Sequence, residues 1–241
     1  MIDPPGRPGT IVPQIGDALS SLVRLGLVRA EPIVVAPSGP ALEAEMAETA
    51  RALATHHAGR APAAIPGLAP ARDLYRAFGI DPTRTRPSSE ALLRRAVQGK
   101  PLPRICNAVD LCNLLALRFL LSIGLYDAAQ VRGEVTLRRG RAGESYPGIR
   151  KDEVHLEGRP VLADDRGPFG NPTSDSLRTS VTAATRSLWM VIFAPAIHPE
   201  ERLRAHVEEA RAAMARHLGD GKRAPLTSGA LHPPGARSLS G

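Results

Sequence analysis

Asp175, Ser176, Arg178 and Thr179 fall within the five-residue segment DSLRT, which combines a carboxylate, two hydroxyls and a guanidinium. An arginine beside hydroxyls and a carboxylate can hold a phosphate, a carboxylate or a developing oxyanion. The segment follows the turn-forming run Gly167-Pro168-Phe169-Gly170-Asn171-Pro172 and precedes an apolar stretch that reads as a buried strand. It is therefore expected on a loop carried by a sheet, where folds commonly place binding groups. The alternative is an Asx turn at Asp175 and Ser176, with Arg178 as a surface charge.

A second polar set interrupts the apolar stretch ICNAVDLCNLLALRFLLSIGLYD, which is expected to be a helix from about Asn107 to about Ile123 or Gly124. Asn107, Asp110 and Asn113 recur at intervals of three and so share nearly one face. Polar groups on a helix buried on several sides need partners, either within the fold or in a pocket. Capping by Asn107 and Asp110 accounts for two of them and leaves Asn113 open. A third set, Arg84, Arg86 and Arg94, stands at the entrance and on the outer side of a helix expected over residues 89–98. Without a nearby acidic run to pair with, these arginines suit a phosphate backbone; solvated surface charges are the alternative. Cys106 and Cys112 lie six apart in an apolar stretch, and the histidine spacings match no zinc site. Neither a metal nor a cofactor is expected, and both thiols read as reduced core residues.

The elements that must position these groups can be read along the chain. Its 241 residues suffice for one sizeable core, and its net charge of +7 is almost wholly arginine, since Lys100, Lys151 and Lys222 are the only lysines. That balance suits an anionic partner such as RNA, while arginine in place of lysine with abundant Ala, Gly and Pro follows equally from a GC-rich genome. An aromatic content of 3% argues against a platform that stacks single-stranded bases. The N-terminus lacks the pattern of a signal peptide, and the apolar run 188–197 is too short to span a bilayer, so a soluble, cytoplasmic protein is expected. Residues 1–20 read as flexible, 21–219 as one domain and 220–241 as a disordered tail. Residues 30–37 are predicted to form a short strand, and 40–57 and 70–78 to form helices. Strands are predicted over 133–139, 153–158, 160–165 and 187–195, with a loop at 140–148 and a last amphipathic helix over 199–218. Helices followed by strands indicate an α+β domain with a mixed or antiparallel sheet flanked by helices.

The ordered motifs RPSSEALLRR, CNAVDLCN, LYDAAQVRGEVTLRRGRAGE, VLADDRGPFGNPTSDSLRT and VIFAP resemble the B3/B4 editing domain of the phenylalanyl-tRNA synthetase beta subunit. More closely, the chain is similar to freestanding proteins made of that domain alone. The resemblance runs over about residues 70–195 and implies an α+β fold whose pocket, in the synthetase, hydrolyses tyrosine wrongly esterified to the tRNA for phenylalanine. Val109, Asp110 and Asn113 match the family's valine-aspartate pair and following asparagine. Three positions depart: Gly124 stands where the family has a histidine, two residues before Tyr126 and Asp127; Val191 stands at or beside its hydroxyl-reading glutamate; and GNPTSDSLRT replaces a glycine-rich loop. Without that glutamate, tyrosine specificity does not carry over.

What the resemblance implies is a cofactor-free deacylase acting in trans on aminoacylated tRNA. Asp175 and Ser176 would hold water or ribose, and Arg178 the oxyanion or terminal phosphate. Asn107, Asp110, Asn113 and Thr179 would hold the aminoacyl end, and Arg84, Arg86 and Arg94 the RNA. A non-catalytic tRNA or aminoacyl-tRNA binding module, or an aminoacyl-tRNA-dependent transferase, are the alternatives. No Ser-His-Asp triad is evident, and the oligomeric state is not legible.

Overall fold

The computed structural model describes residues 12–60, 64–65, 67–149, 151–219 and 226–232. In chain order the elements are β1 (Gln14–Ile15), α1 (Asp17–Ser20), β2 (Val23–Glu31), α2 (Pro40–His56), α3 (Ala69–Ala77), α4 (Ser88–Val97) and α5 (Asn107–Phe119). They continue as β3 (Ser122–Asp127), β4 (Thr136–Arg139), β5 (Ser145–Gly148), β6 (Lys151–His155), β7 (Pro160–Asp164), β8 (Gly167–Gly170), β9 (Leu188–Pro195), α6 (Glu200–His217) and β10 (Leu226–His232). This is an α+β fold. One sheet has the order β10-β2-β9-β3, antiparallel throughout. A second, β1-β4-β7-β8, is mixed because β1 runs parallel to β4. β5 and β6 form a separate hairpin.

The pattern of β9 explains the layering. All eight of its residues are buried, and strand alternation sends them to opposite sides. Leu188, Met190, Ile192 and Ala194 enter a core shared with α2, α5 and α6. Trp189, Val191 and Phe193 enter another, shared with Tyr75 and Phe78 near α3 and with Leu137, Leu162 and Phe169 of the second sheet. β2 divides in the same way, with Val28 and Ala30 on one side and Val23, Leu25 and Leu27 on the other. A strand covered on both faces reads as a continuous apolar run, as these do.

Several boundaries differ from expectation. The helix expected to reach Gly124 ends at Phe119, where Leu120 adopts a left-handed φ of 54°, and the apolar remainder becomes β3. An apolar run alone suits helix or strand; pairing with β9 decides between them. The early strand precedes the predicted residues 30–37, because Pro32 has no amide to continue the ladder beyond Glu31. Residues 145–148, read as loop, pair with β6.

Both presumed loose ends hold structure in part. Gln14 and Ile15 lie along β4, and residues 226–232 of the expected tail lie along β2 from Leu25 to Glu31. An open sheet edge offers unpaired backbone groups to a segment of unremarkable composition. Residues 1–11, 220–225 and 233–241 lie outside the described residues. Among the described residues no helix is long and apolar enough to cross a membrane.

Candidate functional site

The DSLRT segment divides in two. The Ser176 hydroxyl accepts the Arg178 amide at 3.1 Å and caps a short 3-10 turn over Leu177–Thr179. Buried Thr179 donates its hydroxyl to the Phe169 carbonyl at 3.3 Å. The Arg178 guanidinium grips the fully buried Asp164 carboxylate through two bonds of 3.1 and 2.9 Å, and also donates to the carbonyls of Gln130 and Gly167. Its carbon stands 5.6 Å above the Phe169 ring. Expected to meet an oxyanion or phosphate, Arg178 instead spends its donors on Asp164 and the backbone. Ser176 and Thr179 are likewise structural in placement. The Asx turn forms at Asn171, not Asp175: the Asn171 side-chain oxygen accepts the amides of Thr173 and Ser174 at 2.7 and 2.8 Å.

Asp175 turns the other way. Its Oδ1 accepts the Tyr126 hydroxyl at 2.9 Å. The other two tyrosines of the chain join the same loop. Tyr75, on α3, donates to the Pro172 carbonyl at 2.5 Å and accepts from Ser122 at 3.3 Å. Tyr146, on β5, donates to the Ser174 carbonyl at 2.5 Å and accepts from the Asn171 amide at 3.1 Å. Tyr126 can reach Asp175 only because Gly124 and Gly170 flank it; a Cβ at either glycine would overlap its ring or hydroxyl. Trp189 and Phe169 close the aromatic wall, with ring centroids 5.8 and 5.2 Å from Tyr126.

No cation reaches Asp175 among these contacts. Burial pushes its carboxyl up to about 7, against the Tyr126 hydroxyl and the backbone amides of Asn171 and Leu125, which favour the charged form. Leu125 belongs to β3, the outer strand of its sheet, which explains why that amide is free to face the carboxylate. Asp175 is densely surrounded by protein yet retains partial solvent exposure. The same burial raises Tyr126 well above the ordinary phenol, and lifts Tyr75 and the neighbouring Cys112 to about 12, with the Asp175 charge adding to each. A carboxyl titrating near neutrality, ringed by neutral phenols, can take a proton from water or a hydroxyl and return it.

The other predicted residues stand apart from this cluster. Asn107 accepts the amides of Ala36 and Ala108 and donates to the Val34 carbonyl at 2.8 Å, tying α5 to the segment after β2. Asp110 accepts from Ser38 and from the Ile105 amide, at 2.7 and 2.8 Å. The N-cap of α5 is Cys106, with no side-chain cap bond, so neither polar residue caps as expected. Asn113 is half-buried and makes no hydrogen bond among the described residues.

Arg86 and Arg94 do not lack acidic partners, as the sequence suggested. Both, with Arg72, converge on the buried Glu90, at 3.4, 3.0 and 2.7 Å. Burial alone would raise Glu90, but hydrogen bonds from Arg72 and Arg94 hold it below the usual carboxylate range. Arg84 remains exposed, 3.8 Å from Asp81. Sequence reading missed the three tyrosines, Asn171 and Gly170. The available signal was scarcity: in a chain so poor in aromatics, every tyrosine meets one loop.

Gly124 and Val191, two of the three departures from the resembling family, are directly opposed across β3 and β9. The B3/4 domain model matches residues 70–218, a stretch holding Tyr75, Tyr126, Tyr146 and Asp175. The phenylalanine–tRNA ligase beta subunit of Chromobacterium violaceum is 30% identical over 135 residues, 54% of this chain and 16% of that protein. Its Streptomyces avermitilis counterpart is 30% identical over 93 residues, 38% of this chain and 11% of that protein. The chain thus spans a small part of either subunit. An N-terminal fragment of the phenylalanyl-tRNA synthetase beta subunit from Pyrococcus horikoshii aligns with a TM-score of 0.43 and 13% identity, over 95% of this chain and 57% of that one. Since the domain match takes in more than half of its length, the chain belongs to the B3/4 domain family.

Proposed function

We propose that this chain binds tRNA and hydrolyses the ester of a misacylated aminoacyl-tRNA in trans, with Asp175 as the general base. The observation that carries the reading is the half-buried Asp175 carboxyl of a B3/4 domain, held by the Tyr126 hydroxyl and two backbone amides with no cation in contact, and raised to about 7. The ligase subunits it resembles act on tRNA by name, which supports RNA as the partner. Ester hydrolysis needs a positioned water, a base, and a proton for the departing ribose oxygen. Asp175 takes a proton from water as the water oxygen bonds to the ester carbonyl carbon. The bond from that carbon to the ribose oxygen then breaks, and the proton passes from Asp175 to that oxygen. Tyr126 orients the carboxylate through its 2.9 Å bond. Asn113, one residue beyond Cys112 and with its amide unengaged among the described residues, is assigned to the aminoacyl end. Ser176, Arg178, Thr179, Asn107 and Asp110 hold the framework in this reading.

A second reading, a tRNA-binding module without turnover, is favoured by the complete burial of Tyr126 and the engagement of Arg178. A panel of mischarged tRNAs separates the two. Release of amino acid that rises through about pH 7, and that Asp175→Asn removes while tRNA binding persists, is the expected result. Binding without release from any member of the panel would sink the hydrolase and leave the module. An acyl group recovered on an amine or alcohol, seen by mass spectrometry, would identify a transferase instead.

A further inference from the structure

A polar cleft of about 460 Å³ opens at the C-terminal end of α3, away from the Asp175 cluster. Two loops wall it. Residues 78–85, between α3 and α4, contribute Arg84; β4 contributes Arg139, and the turn between β6 and β7 contributes Arg159. The half-buried Arg139 is anchored through one nitrogen, Nη1, to the carbonyls of Gly158 at 2.7 Å and Phe78 at 3.4 Å. Its Nε and Nη2 make no bond among the described residues. Arg159 is exposed and makes no ion pair among them, and Arg84 is 89% exposed with only the loose approach of Asp81.

Two carboxylates also line the cleft, Asp81 bonded within its own turn and Glu157 to a neighbouring one. Asp81 Oδ1 accepts the amide and hydroxyl of Thr83 at 2.8 and 2.7 Å, and Glu157 accepts the Gly143 amide at 3.5 Å. Against these two carboxylates stand three guanidiniums, one anchored with free donors and two exposed on facing loops, which leaves the cleft net positive. Such a fork geometry matches phosphate oxygens. The low aromatic content leaves contact with the backbone, not base stacking, as the mode available.

One helix joins the cleft to the Asp175 loop. Tyr75 touches the Asp175 loop through Pro172, and Phe78, about one helical turn farther along the same segment, lines the cleft. Both side chains are buried, so this link runs through the core and not over the surface. We infer that Arg84, Arg139 and Arg159 form a binding site for the phosphodiester backbone of RNA, outside the Asp175 cluster. The inference rests on the tRNA reading above.

Fluorescence anisotropy with uncharged tRNA, titrated over a range of salt, tests it independently of hydrolysis. The Arg84→Glu/Arg159→Glu double variant alters only exposed side chains, and thermal unfolding by circular dichroism checks that it folds. Its tRNA affinity is expected to fall about tenfold or more, and its log-log salt slope by about 2. Arg211→Glu, on the outer side of α6, serves as the charge control and should change affinity by less than about twofold. Unchanged affinity and slope in the double variant, with wild type binding tRNA, would overturn the cleft and leave hydrolysis at Asp175 standing. Loss of release in Asp175→Asn with normal tRNA binding bears on the hydrolytic reading alone. Competition by adenosine monophosphate as strong as by tRNA, at equal ionic strength, would overturn the RNA assignment in favour of a small phosphate ligand. Wild-type protein without any tRNA affinity would remove both.

Discussion

Asp164 and Asp175 are enclosed carboxylates eleven residues apart, and their partners set their roles. Asp164 has the Arg178 guanidinium in bidentate contact; Asp175 has a phenol and two amides. A charge matched by a charge is a strut, whereas one matched only by dipoles keeps a proton within reach of neutral pH. Arg178→Ala therefore leaves a buried anion without its cation. We expect a loss of about 3 kcal/mol in urea unfolding, discounted little because Asp164 is fully buried. Arg178→Lys should recover only part of it, since an ammonium cannot reproduce the two-pronged contact. A selective effect on catalysis, with stability unchanged, would return Arg178 to the site. The residue types in DSLRT were legible as chemistry, but partner choice was not: Asp164 and Phe169 capture Arg178 from positions that linear spacing does not single out.

At the scale of elements, the register between β3 and β9 does most to shape the site. It sets Gly124 against Val191 and brings Tyr126 beside Trp189. It also leaves the outer edge of β3 facing the 171–175 loop, where the Leu125 amide meets Asp175. Gly124 is then a packing requirement, since its absent side chain is the space that Tyr126 occupies. Gly124→Ala is expected to destabilise by about 1–3 kcal/mol through overpacking. In a double-mutant cycle with Tyr126→Ala, the two costs should be clearly less than additive, because removing the ring removes the clash. Full additivity would show that Gly124 serves some other purpose. This register could not be read from residues 107–127, where one apolar run covers a helix, a left-handed turn and a strand. The amphipathic helix α6 was legible, since it buries one recurrent set of positions, and β6 and β7 lie near the strands expected at 153–158 and 160–165.

Over the whole molecule, two buried groups act oppositely on stability between about pH 4 and 7. Asp175 has a folded-state pKa raised from 3.8 to about 7, so its contribution is greatest at low pH and declines as pH rises through that window. His206, stacked at 4.1 Å on Phe119 and 5.7 Å from His198, is held down to about 4 by burial and by the charges of His198 and Arg202. Its contribution is present above its ordinary 6.5 and declines as pH falls toward 4. Relative to wild type, Asp175→Asn should gain stability as pH rises from 4 to 7, and His206→Gln should gain as pH falls from 6.5 to 4. Urea unfolding across that range checks both; parallel curves for wild type and variants would contradict the assigned burial. The α+β class, a sizeable core, the apolar strand expected over 187–195 and the family motifs were all determined by sequence alone, because periodicity and motif order are properties of neighbours along the chain. Tertiary structure alone decided that three scattered tyrosines meet the loop that carries Asp175, that Glu90 gathers three arginines, and that a segment near the C-terminus completes a sheet. Each of those depends on burial and on partners distant in sequence, which local pattern does not encode.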